Sequence, residues 1–227
     1  FSLDAEGLIA ASRDAKLLFI CNPNNPTGTV NPRETIEYVI READCMVVVD
    51  EAYFEFNDRE SVQDLIATYD NLIVLRTFSK FAAIAGARVG YLLTNPYLAS
   101  KLNAIRLPMG ISYFSMEIAK MVLAEDMVWV EQNLQMILVE RSRMQAAYTD
   151  LDLKFWPSRA NFILVRFGER ASVIAAALKQ RGLVVRDYSQ KAETAGCLRI
   201  GIRSPEENTI LLEAVRAMLD QSTGFIS

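Results

Sequence analysis

The stretch Leu17-Leu18-Phe19-Ile20-Cys21-Asn22-Pro23-Asn24-Asn25-Pro26-Thr27-Gly28 joins an apolar run of strand length to a loop rich in proline and asparagine. Two prolines and a glycine make that loop a rigid turn, which presents amide side chains at the C-terminal end of the strand. Outward from it, further short apolar runs follow at Met46 to Asp50, Leu72 to Thr77 and Arg88 to Leu93, with a helical stretch from Pro32 to Ala43 between the first two. This order predicts a buried α/β sheet, whose ligands gather at the carboxyl ends of parallel strands. Asn31, Pro32 and Glu34 read as a cap, a first-turn proline and a capping box for the first helix.

From Pro96 to Thr149 the pattern turns helical, with Val130, Leu134, Ile137, Leu138, Arg141 and Met144 recurring at three- and four-residue steps as a packing stripe. Beyond it are predicted a strand at Asn161 to Phe167, a helix near Ala171 to Arg181, strands at Leu183 to Arg186 and Cys197 to Ile202, and a last helix capped by Ser204, Pro205 and Glu207. The division expected is residues 1–125 for the larger α/β domain and 126–227 for a small α+β domain that includes the long connecting helix.

Composition removes several chemistries. The 227 residues include no histidine, so a Ser-His-Asp triad, a Cys-His pair and histidine-held metals are excluded within this chain. Proton transfer falls to Lys, Tyr, Cys or a carboxylate. The three cysteines, Cys21, Cys45 and Cys197, are widely spaced among apolar residues, which fits reduced thiols, and no metal site is expected. A formal charge of −4 gives no basic field for nucleic acid, and no apolar run reaches bilayer length. A globular cytoplasmic protein is expected. The chain opens at Phe1, close before the first strong strand, which reads as a processed, truncated or split product.

Three segments carry chemistry. In the first, Asn25 lies in the loop after the first strand; an Asn/Pro-rich loop without function is the plain alternative. In the second, Asp50-Glu51-Ala52-Tyr53 ends the next strand and puts an acid at the same sheet edge. That acid could hold a cationic ring nitrogen, hold Mg²⁺ in a nucleotide enzyme, or simply be solvated. The phosphate loop GxxxxGK[ST] is missing, which counts against nucleotide. In the third, Thr77-Phe78-Ser79-Lys80 and then Arg88 bring two hydroxyls, an amine and a guanidinium into one connection, a set suited to phosphate. A lone lysine is usually a surface charge, whereas one desolvated beside cations becomes nucleophilic.

NPNNPTG, DEAY, and SK followed eight residues later by Arg88 resemble, in order and spacing, the fold-type I pyridoxal-phosphate aminotransferases. The likeness runs from about Phe1 to Met218. It is nearest to the histidinol-phosphate branch, to which Ala160 to Arg166, Val185-Arg186-Asp187 and Gly196 to Ile200 are also similar. The resemblance implies part of a large domain with a mostly parallel sheet, a small C-terminal domain, and pyridoxal 5'-phosphate as cofactor. Lys80 would hold the cofactor covalently and move the substrate proton, and Asp50 would pair with the pyridine nitrogen. Asn25 and Tyr53 would bond its phenolic oxygen, and Thr77, Ser79 and Arg88 its phosphate. Arg199 would meet the substrate carboxylate, with Arg186 helping to bind the substrate phosphate.

By the same resemblance the reaction is transamination from histidinol phosphate to 2-oxoglutarate, the partners being a small amine donor and a 2-oxo acid, in a homodimer. The family's glycine-rich turn and the aromatic ring that stacks on the cofactor are not in this sequence, so a self-sufficient site is not expected from it. A threonine-phosphate decarboxylase, an aromatic-amino-acid aminotransferase and a non-enzymatic ligand-sensing domain are the alternatives. The decarboxylase branch shares NPNNPTG and a stretch like Ile202-Arg203-Ser204.

Overall fold

A computed structural model describes residues 1–108 and 110–220 of the chain. They form two compact units: Phe1–Asn25 with Thr29–Leu134, and Pro26–Gly28 with the chain from Gln135 onward.

In the first unit, β1 (Leu17–Cys21), β2 (Met46–Asp50), β3 (Leu72–Thr77) and β4 (Gly90–Leu93) lie side by side in chain order. The first three are parallel and β4 is antiparallel to β3, so the carboxyl ends of β1, β2 and β3 share one edge. Helices α1 (Ala5–Ser12) and α2 (Arg33–Glu42) pack against the sheet through a core that includes Leu18, Ile20, Ile36, Val39, Val47, Val49 and Val74. Each such side chain, fully buried, contributes about 1.5–3 kcal/mol. Burial is less complete than the apolar runs predict: alternation puts Leu18 and Ile20 inside, while Leu17 and Phe19 on the other face are 50% and 62% exposed.

The expected capping box of α2 is not formed. Pro32 stands at the N-cap without a side-chain bond, and Asn31 is engaged elsewhere. Its Oδ1 accepts from the Leu3 N–H, and its own N–H donates to Asn22 Oδ1. A longer-range partner won over the local one. The strand expected from Arg88 begins at Gly90, because Arg88 adopts a left-handed φ of 54° that breaks an extended run.

Helices α3 (Pro96–Ile105) and α4 (Tyr113–Met121) follow, and α4 runs through a π turn at Val122–Asp126 into α5 (Met127–Asp150). The division between units falls inside α5. Val130 packs with Phe78, Ala82, Val89 and Ala119, whereas Met144 and Tyr148 belong to the core of the second unit.

That second unit is an antiparallel sheet in the order β5 (Lys154–Trp156), β6 (Phe162–Arg166), β8 (Cys197–Gly201), β7 (Arg186–Asp187), with α6 (Ala171–Gln180) and α7 (Pro205–Asp220). Its core joins Met144 and Tyr148 to Ile163, Val165, Leu178, Ile200 and Val215. The strand expected at Leu183 to Arg186 is instead the short pair Arg186–Asp187, because Leu183 and Val185 pack against the core rather than joining the ladder. The second capping box is present: the Glu207 N–H donates to Ser204 Oγ at 3.3 Å and the Ser204 N–H to Glu207 at 3.5 Å. Among the described residues no helix is long and apolar enough to cross a membrane.

Candidate active site

Parallel pairing makes Cys21 at the end of β1 the partner of Asp50 at the end of β2, with Asp50 opposite Leu75 of β3. The loop after β1 is held at this edge, because the Asn22 N–H donates to the Asp50 carbonyl at 2.9 Å and the Asn24 N–H to the Thr29 carbonyl at 2.8 Å. Asn25, at the tip, is exposed. Its backbone N–H bonds the Cys21 thiol, whose pKa burial pushes up, with the Asn25 N–H opposing the rise and Asp50 adding to it. Cys21 therefore stays a neutral thiol between Asn25 and Asp50. Sequence reasoning placed it among core thiols and missed this position. No spacing signal marks it; only the β1–β2 register does.

The Asp50 carboxylate accepts the Ala52 N–H at 3.0 Å, which turns the chain from β2 towards Tyr53. Tyr53 is buried, and the Lys80 Nζ lies 5.8 Å from its ring centroid. Thr77, at the end of β3, donates its hydroxyl to the Val89 carbonyl at 3.2 Å and accepts the Ser79 N–H at 3.1 Å, so the turn to Lys80 is fixed by its own side chain. Lys80 and Ser79 are half-buried there. Arg88 is exposed, and one of its Nη groups donates to the Ala85 carbonyl at 3.3 Å. A hollow of about 430 Å³ opens against Asp50, Ala52, Leu75, Thr77 and Gly90.

Behind this edge lies a cluster that sequence reasoning passed over. Arg76 and Glu51 form a buried ion pair, bonded through Ser61 as well. Only the Asp-Glu doublet and an arginine inside an apolar run hinted at it.

In the second unit, pairing makes Arg186 the direct cross-strand partner of Arg199, whose other neighbour is Leu164. The Arg199 guanidinium carbon sits 4.7 Å from the Phe162 ring centroid and 5.9 Å from that of Tyr188. Two guanidinium groups thus stand directly opposite one another on neighbouring strands, and each is of the kind that binds carboxylate or phosphate oxygens by directed bonds.

Chemically, the edge of the first unit offers a carboxylate that can hold a protonated ring nitrogen, an amine beside a phenol, and a hydroxyl-bearing turn with a guanidinium for phosphate. These donors fit a phosphorylated pyridine aldehyde. Residues 1–215 match the aminotransferase class I and II family. This chain belongs to that family. Among its relatives, the histidinol-phosphate aminotransferase of Thermoanaerobacter sp. (strain X514) is 42% identical over 205 residues, covering 90% of this chain and 57% of that protein. Two solved structures are similar. The histidinol-phosphate aminotransferase of Clostridium acetobutylicum gives a TM-score of 0.87 at 26% identity, covering 97% of this chain and 69% of that one. The Sinorhizobium meliloti enzyme in complex with pyridoxal-5'-phosphate gives 0.82 at 30% identity, covering 95% and 62%. The chain thus carries the fold-type I aminotransferase architecture, and it spans little more than half the length of the curated relative it matches.

Proposed function

We propose that this chain carries the catalytic lysine, the cofactor-binding edge and the substrate arginines of a pyridoxal-phosphate aminotransferase acting on histidinol phosphate and 2-oxoglutarate. The observation that carries the reading is the meeting of Lys80 with Tyr53 beside strand ends that bear Asp50 and Thr77. The kinship with histidinol-phosphate aminotransferases supports the choice of substrate.

When bound, pyridoxal phosphate supplies an aldehyde that condenses with amines and a pyridinium ring that accepts negative charge from the neighbouring carbon. Everything else belongs to the chain. Lys80 would hold the aldehyde through Nζ, and its free amine would carry the proton from the substrate α-carbon. With no histidine in the sequence, that amine is the natural base. Asp50 keeps a proton on the ring nitrogen, which makes the α-proton more acidic. Asn25 and the Tyr53 hydroxyl would bond the phenolic oxygen, while Thr77, Ser79 and Arg88 would hold the phosphate by directed bonds. Arg199 and Arg186 take the anionic group of the substrate, phosphate in one half-reaction and carboxylate in the other. Residues 1–125 are proposed as part of the large cofactor-binding domain and 126–227 as the small domain.

The protein is proposed to work in the cytoplasm as a homodimer. Three free cysteines accord with a reducing compartment. The exposed side chains of Ile105, Leu107 and Phe114, at 80%, 77% and 80%, offer apolar surface for a second copy. Light scattering on the purified chain reads its mass directly.

The test is an absorption spectrum of the chain with pyridoxal phosphate, beside Lys80→Ala, before and after histidinol phosphate. A visible band that needs Lys80 and is bleached by histidinol phosphate is expected. A spectrum without a Lys80-dependent band refutes the cofactor reading for this chain. Bleaching only by threonine phosphate with release of carbon dioxide, or only by phenylalanine, refutes the substrate.

A further inference from the structure

We infer that Arg76 is a positioning residue, which holds the Asp50-to-Tyr53 segment and the end of β3 in the geometry that the cofactor site requires. This rests on the roles proposed above for Asp50, Tyr53 and Thr77.

The Arg76 side chain is 8% exposed and that of Glu51 only 3%. Arg76 Nε and Nη2 both donate to Glu51 Oε2, at 3.0 and 2.9 Å, and Nη2 also donates to Ser61 Oγ at 2.8 Å. Ser61 Oγ lies 2.8 Å from each Glu51 oxygen, and the Val62 N–H donates to Glu51 Oε1 at 2.9 Å. On its flat face the guanidinium stacks 3.7 Å from the Phe54 ring centroid. Each anchored residue is thus the chain neighbour of a proposed site residue: Glu51 follows Asp50, Phe54 follows Tyr53, and Arg76 precedes Thr77.

Alternation along the strands turns this adjacency into leverage. Asp50 pairs with Leu75, so Glu51 and Arg76 fall one step on and point to the face opposite Asp50 and Thr77. A cluster locked on the rear face fixes the φ and ψ of residues whose side chains act on the front face. The planar fork is needed for this, since one guanidinium must meet a carboxylate, a hydroxyl and a ring together. An ammonium cannot satisfy all three.

A structural role alone would be met by any well-packed replacement, because exchanging a buried ion pair for neutral groups of similar volume is often harmless to stability. The informative variant is Glu51→Gln/Arg76→Met, in which glutamine keeps an acceptor for the Val62 N–H and the thioether packs on Phe54. Arg76→Lys is the companion that keeps the charge. Three readouts are taken on the full chain: the melting temperature without cofactor, hydrogen exchange at the Ala52 amide, and the dissociation constant for pyridoxal phosphate.

The double variant is expected to melt near the wild type, yet exchange the Ala52 amide faster and bind pyridoxal phosphate about tenfold more weakly. Arg76→Lys should shift the same two readouts in the same direction. A double variant with wild-type melting, exchange and affinity overturns the inference. Should the double variant fail to fold, wild-type exchange and affinity in Arg76→Lys overturn it equally. If the wild-type chain shows no Lys80-dependent band, the cofactor reading has failed on its own, and the Ala52 exchange still decides whether Arg76 orders the Asp50 turn.

Discussion

Replacing Gly28 by alanine should be among the most damaging single-methyl changes in the chain. Gly28 closes the loop that presents Asn25, and its φ of 73° lies in the left-handed region. An L-residue there costs roughly 1–2 kcal/mol. A Cβ would also sit 2.7 Å from Ser158 Cβ and 3.1 Å from Ser158 Cα, so rotating the serine hydroxyl away cannot relieve the overlap. Nor can Ser158 retreat easily, because its N–H donates to Gln145 at 3.0 Å and its hydroxyl bonds the Phe162 carbonyl and the Ala160 N–H. Overpacking of this kind costs about 1–3 kcal/mol. The total expected is about 2–5 kcal/mol, a large part of the roughly 5–15 kcal/mol that holds a typical domain together. Part of the damage should appear as a weakened bond from the Arg159 N–H to the Gly28 carbonyl, now 2.7 Å. Equilibrium urea unfolding of wild type, Gly28→Ala, Ser158→Gly and the double variant measures it. The cycle should show a favourable coupling of about 1–3 kcal/mol, because Ser158→Gly removes the Cβ obstacle and leaves the φ cost. A Gly28→Ala protein within about 0.5 kcal/mol of wild type would refute the reasoning.

Other outcomes follow from buried polar groups. The Tyr148 hydroxyl is buried with no hydrogen-bond partner, and burial alone drives its pKa upward, so Tyr148→Phe should raise stability by about 1 kcal/mol in the same urea assay. Glu51→Gln alone leaves the Arg76 charge uncompensated in a buried site and should cost about 3–5 kcal/mol, far more than the paired replacement. Burial pushes the Glu55 carboxyl up from 4.5 to about 7, against Arg76 and Arg59, which pull it down. Its folded pKa lies above the unfolded one, so the folded state holds the extra proton, and stability drains away as pH rises from about 4.5 to 7. The span is on the order of 3 kcal/mol, so Glu55→Gln should gain on wild type between pH 5 and pH 8; a gap that does not change with pH defeats this assignment. Arg199→Ala should raise the KM for the phosphorylated amine by about tenfold or more with a smaller change in kcat, read by steady-state kinetics.

How much was legible depended on range. Leu17 to Cys21, Met46 to Asp50 and Leu72 to Thr77 announce strands by local composition, and the structure has them with those limits. The Ser204–Glu207 capping box formed as its spacing predicts, since both partners lie within one turn. Asn31 shows where local reading stops: the same signature lost to Leu3, a partner twenty-eight positions away. The separation of Asn25, Asp50, Thr77 and Lys80 along the chain hides that three parallel strands deliver them to one edge.

By itself, the sequence determined the strands of the first sheet, the strand ends that carry Asp50 and Thr77, and, through three spaced motifs, the aminotransferase family, while α1 and β5 went unread. These depend on side-chain type at short spacing, which local periodicity and turn chemistry control. Only the tertiary structure decided that Cys21 lies between Asn25 and Asp50, that Lys80 meets Tyr53, that Arg186 faces Arg199, and that Arg76 grips Glu51 behind the site. Each of those depends on strand register or on which face a residue takes. A shift of one residue along a strand would turn Arg76 and Thr77 to each other's faces, so the partners exist only once the sheet has formed.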